Sequence, residues 1–151
     1  MTRVDFYHLQ QKTLDEVLPK LLQKAYSTGK RIKVKIGTEE RVEFINSLLW
    51  TYDDESFLPH GSKKDGFADQ QPIWLSADIE NPNTALFLFL VDGAEENAET
   101  LTQYERVFNI FDGNSAEAVQ QARRLWKEYK NSDCEVYYWQ QDNAGKWIQK
   151  A

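Results

Sequence analysis

The chain has 151 residues, 41% of them hydrophobic and 28% charged, which is the length and composition of one globular domain. Its 24 acidic and 18 basic residues leave a formal net charge of -6, which argues against a protein that coats nucleic acid by general charge attraction. With only two His and one Cys, the chain is thinly supplied with catalytic chemistry, and we assign no catalytic, cofactor-binding or metal-binding residue.

The first part of the chain alternates predicted strands and helices. Val4 to Leu9 alternates in polarity as a strand does, and the apolar residues from Leu14 to Ala25 recur at helical spacing. Pro19 lies inside that stripe, so we expect either a kink there or a helix that begins near Leu18. Arg31 to Ile36 follows as a strand whose β-branched residues face one way and whose bases face the other.

The turn at Gly37 and Thr38 begins the second predicted helix. Thr38 has the residue type of an N-cap, and Glu39 and Glu40 follow in the positively polarised first turn. The order strand, helix, strand, helix favours a parallel sheet with right-handed crossovers. The stretch from Thr51 to Gln71 has no clear period and is predicted to be an exposed loop.

The second part of the chain predicts further strands and one long helix. The strands are Ile73 to Leu75, Leu86 to Val91 (apolar enough for burial on both faces), Arg106 to Phe111, and a final pair, Cys134 to Gln140 with Lys146 to Ile148. Asn114, with Glu117 three residues on, is the predicted cap of a helix that runs to about Lys130. No repeat or linker divides residues 1–151, so we expect a single α/β domain.

The sequence predicts a protein of a reducing compartment without a membrane span. Cys134 is the only cysteine and cannot form an internal disulfide. The N-terminus, Met1 to Asp5, has no apolar secretion segment before its first charges. The longest apolar run, Ala85 to Val91, falls far short of the ~20 residues that cross a membrane. We therefore expect a cytoplasmic protein with no membrane partner.

Large rings are concentrated around Trp50 and Phe57, where the predicted loop should be polar. Exposed rings would indicate a protein interface, whereas rings folded back over the core would be structural, and the pattern leaves both open. Ser56, His60 and Asp53 are the residue types of a catalytic triad, but no spacing rule supports one. We interpret His60 as a structural or interface histidine.

The last predicted helix carries a positive excess on this acidic chain. Arg123 and Lys127 are four residues apart and share a face, with Trp126 three residues from Arg123. Such a face can receive a carboxylate next to an aromatic ring. The alternative, favoured by the pattern alone, is a solvated face with bases placed near a helix C-terminus.

Short blocks spread over most of the chain are similar to those of one known family. They are Gly29-Lys30-Arg31, Leu48-Leu49-Trp50, Ser56-Phe57-Leu58-Pro59-His60-Gly61, Gln71-Pro72-Ile73 and Ala122 to Lys130. Together they resemble the chi subunit of bacterial DNA polymerase III holoenzyme. The resemblance implies a Rossmann-like, three-layer α/β fold with a mostly parallel sheet and a C-terminal antiparallel strand or hairpin. It also implies a non-catalytic accessory subunit of the clamp-loader complex in DNA replication.

The same resemblance implies two interfaces. One binds the small psi subunit, with Trp50 and Phe57 at the matching positions. The other binds the acidic, phenylalanine-ended C-terminal tail of single-stranded DNA-binding protein, with Arg123, Trp126 and Lys127 matching the family's arginine, aromatic and lysine. The sequence leaves open whether a psi partner exists in the source organism and whether a helicase competes for the Trp50 surface.

Three functions therefore compete. The first is a replisome adaptor that binds proteins. The second is a nucleotide-binding α/β enzyme that uses the Gly37-Thr38 turn, although neither G-x-G-x-x-G nor a P-loop is present. The third is a single-strand binder with rings as stacking platforms, which the net charge of -6 disfavours.

Overall fold

The structure, a computed structural model, describes residues 1–53 and 58–151. Its strands are β1 (Arg3–Leu9), β2 (Ile32–Ile36), β3 (Ile73–Ser76), β4 (Phe87–Val91), β5 (Arg106–Asp112), β6 (Glu135–Gln141) and β7 (Trp147–Gln149). Its helices are α1 (Leu14–Tyr26), α2 (Glu39–Thr51), α3 (Ala98–Leu101) and α4 (Ala116–Lys130), and a 3₁₀ turn spans Ala68–Gln70. Among the described residues, no helix combines the length and apolar character that a bilayer span requires.

The seven strands form one sheet in the order β3-β2-β4-β5-β1-β6-β7. Every neighbouring pair is parallel except β6 and β7, which are antiparallel. The predicted fold class, a mostly parallel α/β sheet with an antiparallel C-terminal strand, is confirmed. Its parallel strands follow from the alternation of strand and helix along the chain, because each crossover helix returns the next strand in the same direction.

Helices cover both faces of the sheet, which produces three layers. Apolar residues of α1 and α2 pack on one face, and those of α3 and α4 pack on the other. Within β4, Phe87 and Phe89 join the first core and Leu88 and Leu90 the second, because successive side chains of a strand point to opposite faces. The prediction that this strand is buried on both faces is confirmed.

One predicted helix start is wrong, and for another helix the structure excludes one of the two alternatives. Helix α1 begins at Leu14 and contains Pro19, so it does not start near Leu18. Helix α4 is capped by Ser115 rather than Asn114, because the Ser115 hydroxyl accepts a hydrogen bond from the backbone N–H of Ala118 at 3.2 Å. The chain therefore enters α4 one residue later than its Asn-x-x-Glu pattern indicates.

The stretch predicted as an exposed loop is partly built into the sheet. Gly61 donates its N–H to the Ile73 carbonyl and accepts a hydrogen bond from the Leu75 N–H, at 3.0 and 2.9 Å. Leu58 and His60 are buried in the same segment. The segment from residue 58 to residue 62 thus covers the outer edge of β3, which an exposed loop would leave unpaired.

Candidate functional site

A cavity of about 430 Å³ opens between α4 and the C-terminal strands. Trp126 lies on its wall and packs edge-on against Phe6, with ring centroids 5.6 Å apart, and against Tyr138, with centroids 5.8 Å apart. Phe111, Val119 and Ala122 add further apolar lining. Because these contacts hold the indole in place, the cavity is a preformed apolar recess large enough to take an aromatic ring.

The rim of this cavity is positively charged. Arg123, Lys127 and Lys150 line it, all three side chains are exposed, and no Asp or Glu side chain of the described residues lines it. Within the described part of the chain, none of the three forms an ion pair. The neighbouring Arg124, in contrast, points away and pairs with Glu95 at 2.6 Å. The cavity therefore combines an apolar floor with a cationic rim, on a protein whose net charge is -6.

Sequence reasoning missed two polar residues of the cavity. His8 and Tyr138 both line it, and the Tyr138 hydroxyl is hydrogen-bonded with Nδ1 of His8. Burial, reinforced by the positive charge of Arg123, lowers the pKa of His8, so this histidine is mainly neutral at pH 7. Burial also raises the pKa of Tyr138. The positive charge of the cavity at pH 7 consequently belongs to its arginine and lysines.

The strand register predicts that His8 and Tyr138 lie close together, but only once the order of the strands in the sheet is known. In the parallel β1–β6 pair, Phe6 lies opposite Tyr138, and both side chains pack in the core beneath α4. His8, two residues after Phe6, therefore points to the same face. The alternation is readable in the sequence, whereas the pairing of the first strand with the sixth is not.

Trp50 lies in the last turn of α2 rather than in a loop, which corrects the sequence prediction. It is 48% exposed, and its ring packs against the His60 ring with centroids 4.2 Å apart and the planes tilted by 39°. His60 itself is buried, with Nδ1 2.6 Å from the Leu58 carbonyl oxygen and Nε2 3.1 Å from that of Asn46. The histidine is thus a structural support beneath an exposed indole. Phe57 and Ser56 lie outside the described residues.

The turn at Gly37 is filled by the protein's own backbone. A Cβ at this position would overlap the carbonyl oxygen of Asp92, and the Thr38 hydroxyl accepts a hydrogen bond from the Arg41 N–H at 3.3 Å. The Arg41 side chain pairs with Asp92 at 2.9 Å and with Asp15 at 3.5 Å. Because a carbonyl oxygen faces the turn and its nearest cation is already paired, the geometry does not favour phosphate binding there.

A second cavity, of about 960 Å³, lies at the carboxyl ends of the parallel strands. Its charged lining mixes both signs: Lys12, Arg41, Arg124, Asp15, Asp92, Asp112 and Glu117. Across residues 1–53 and 58–151, no group of three or more His, Cys, Asp or Glu residues is arranged to hold a metal ion. The smaller cavity beside α4 has the more selective chemistry, because its charged side chains, Arg123, Lys127 and Lys150, are all basic.

Residues 1–137 match the family model described as DNA polymerase III chi subunit, HolC. The chain belongs to the chi subunit family. It is also similar to the probable DNA polymerase III subunit chi of Rickettsia prowazekii (strain Madrid E), with 25% identity over 154 residues that span 97% of this chain and 91% of that protein. Chi is an accessory subunit of the replicative polymerase and not its catalytic subunit.

The chi family match covers all five predicted interface residues, and the structure describes four of them. Trp50, Arg123, Trp126 and Lys127 are both described and matched, and Phe57 is matched but lies outside the described residues. Helices α2 and α4 pack on opposite faces of the sheet, so Trp50 and the cavity belong to two separate surfaces. The match ends one residue before Tyr138.

Proposed function

We propose that this chi-family protein is a non-catalytic adaptor of the clamp-loader complex with two protein ligands. Trp50 and Phe57 bind a psi subunit, and Arg123, Trp126 and Lys127 bind the acidic, phenylalanine-ended tail of single-stranded DNA-binding protein. The observation that carries the proposal is the cavity beside α4, where unpaired cations surround an apolar recess. A second function is not proposed, because no described feature favours nucleotide chemistry.

The chemistry of such a tail complements the cavity. Its carboxylates pair with Arg123 and Lys127, since charge-assisted hydrogen bonds to a carboxylate are among the stronger polar contacts. Its terminal ring enters the recess and packs against Trp126, where burial of apolar surface supplies the larger share of the free energy. Lys130, whose Nζ lies 5.2 Å from the Trp126 ring centroid, adds positive potential behind the indole.

Added salt distinguishes the contribution of the ion pairs from that of the buried ring. Exposed ion pairs are screened, with a Debye length of ~8 Å at physiological ionic strength, whereas ring burial is not. We therefore expect added salt to weaken peptide binding without abolishing it. Deleting the terminal phenylalanine of the peptide should remove most of the binding at every salt concentration.

Fluorescence anisotropy of a labelled acidic peptide that ends in phenylalanine tests the site. Arg123→Ala and Lys127→Ala should each lower the affinity and flatten its salt dependence. Arg124→Ala is the matched control, because Arg124 neighbours Arg123 in the same helix but pairs with Glu95 and does not line the cavity. Unchanged affinity in the Arg123→Ala, Lys127→Ala double variant would show that the tail does not bind here.

A further inference from the structure

The C-terminal strands form the wall of the cavity that faces α4. We propose that Lys150 is a third cation that contacts the acidic tail. Lys150 lies outside residues 1–137, the range that the family model matches. This inference rests on the proposed function of the cavity. The residues that carry it are Tyr138, Lys150 and Ala151, all of which line the cavity.

Backbone pairing places Lys150 directly beside Tyr138. The N–H groups of Lys150 and Ala151 both donate to the Tyr138 carbonyl, at 2.8 and 3.4 Å, and the N–H of Tyr138 donates to the Ala151 carbonyl at 3.2 Å. This two-against-one pattern is a β-bulge that follows the regular antiparallel register of β6 and β7, which ends with Trp139 opposite Gln149. Lys150 and Ala151 are therefore both held against Tyr138.

The cavity lining shows which way Lys150 points. Lys150 and Tyr138 both line the cavity beside α4. The Tyr138 ring packs against Trp126 of α4, with centroids 5.8 Å apart, and against Phe111, with centroids 6.2 Å apart. The Lys150 side chain consequently lies on the α4 face, across the recess from Arg123 and Lys127.

The tyrosine that fixes this wall is itself anchored. Its hydroxyl is hydrogen-bonded with Nδ1 of His8 on β1, the next strand in the sheet. Rings of Trp126 and Phe111 hold its other sides. The residue that holds the backbone of Lys150 is therefore itself packed against the core.

Cations on two sides of one recess select a particular peptide. A chain that enters between α4 and residue 150 meets basic side chains on both sides, and no Asp or Glu side chain of the described residues lines the cavity. Lys150 is exposed and forms no ion pair within the described part of the chain, so its charge is available to a ligand. The fitting ligand has carboxylates on both edges of the segment that precedes its buried ring.

The test compares Lys150→Gln with Lys146→Gln by anisotropy of the labelled acidic peptide. Lys146 is the matched control, because it is an exposed lysine of the same hairpin that does not line the cavity. Since partly exposed ion pairs contribute modestly, we expect Lys150→Gln to weaken binding about 2- to 5-fold and to flatten its salt dependence, with Lys146→Gln like the parent. A second peptide, with Asn and Gln in place of its acids, should bind both variants equally.

Three results would overturn the inference, and they are distinguishable. If Lys150→Gln binds the acidic peptide as Lys146→Gln does, while the Arg123→Ala, Lys127→Ala double variant loses affinity, the cavity binds the tail without Lys150. If the double variant also binds the acidic peptide like the parent, the proposed function of the cavity is wrong, and so is the role of Lys150. Equal losses for the acidic and the neutral peptide would show that Lys150→Gln acts through the fold and not through charge.

Discussion

At the scale of single residues, Lys33 shows how burial lowers the pKa of a basic side chain on a strand. Its side chain is fully buried on β2, and its Nζ donates hydrogen bonds to the backbone carbonyls of Asp78, at 2.6 Å, and Glu80. Burial lowers its pKa to about 8. Carbonyl partners satisfy the donors of the ammonium group without neutralising its charge.

The pKa of Lys33 predicts how stability depends on pH. Its ordinary value is 10.5, so between pH 8 and 10.5 the unfolded chain binds more protons than the folded one, and stability rises with pH. We expect the free energy of unfolding to increase from pH 8 to pH 10 by on the order of 1–3 kcal/mol, measured by urea denaturation. Lys33→Met should lose this rise, whereas Lys24→Met, at an exposed position of α1, should keep it. Equal slopes in the two variants would contradict the assignment to Lys33.

Trp50 is the residue on which the second proposed interface depends. Because it is 48% exposed and packs on the outside of His60, truncation removes a surface ring and leaves the core closed. We expect Trp50→Ala to fold normally and to weaken a psi complex by about 2 kcal/mol or more, measured by isothermal titration calorimetry. Phe44→Ala is the control, since Phe44 is 47% exposed on the same helix. Unfolding of Trp50→Ala would instead support the structural interpretation of the ring.

At the scale of elements, α4 shows which part of a helix its own sequence defines. Its length and its apolar face follow from local spacing, and its last residue, Lys130, agrees with the prediction. Its first residue depends on the turn that leaves β5. There Asn114 donates its N–H to Asp112 Oδ1 at 2.9 Å and its side-chain amide to the Gln10 carbonyl at 3.3 Å, so Ser115 is left as the cap.

The cap of α4 predicts a stability difference between two neighbouring variants. Ser115→Ala removes the acceptor of the Ala118 N–H and should lower the free energy of unfolding by about 1 kcal/mol. Asn114→Ala removes one long, exposed hydrogen bond and should cost only about 0.5 kcal/mol. Thermal or urea denaturation of both variants measures the difference. A larger loss of unfolding free energy in Asn114→Ala than in Ser115→Ala would show that Asn114 is the cap, as the sequence predicted.

At the scale of the whole molecule, the sheet separates the two proposed interfaces. Helix α2, which carries Trp50, packs on one face, and helix α4, which carries Arg123, packs on the other. Each surface is therefore open to its own partner while the other is occupied. An adaptor that joins two proteins needs this arrangement.

The separation predicts that the two interfaces act independently. Trp50→Ala should leave the affinity for the tail peptide unchanged, and the Arg123→Ala, Lys127→Ala variant should leave psi binding unchanged. Free-energy changes at distant, unconnected sites usually add within about 0.5 kcal/mol, so a triple variant should show the sum of the separate losses. Coupling well above that value, measured by calorimetry with each partner present and absent, would show that the sheet transmits a change between its faces.

The sequence by itself determined the features that depend on local spacing. The alternation of strands and helices follows from periods of about two and 3.6 residues, and it led to the parallel sheet that the structure confirms. Arg123, Trp126 and Lys127 could be placed on one helix region because residues three and four apart are neighbours on any α-helix. Burial of β4 on both faces followed from its unbroken apolar run.

Only the tertiary structure decided which distant residues join those of α4. His8, Phe111, Tyr138 and Lys150 come from β1, β5, β6 and the chain beyond β7, and the order β5-β1-β6-β7 brings them to one cavity. That order is set by the packing of all the strands and crossovers together, because each strand's own pattern is compatible with many neighbours. The burial of Lys33 and the pairing of Gly61 with β3 have the same origin. Local spacing determines which side of an element is apolar or charged, and long-range packing decides what that side meets.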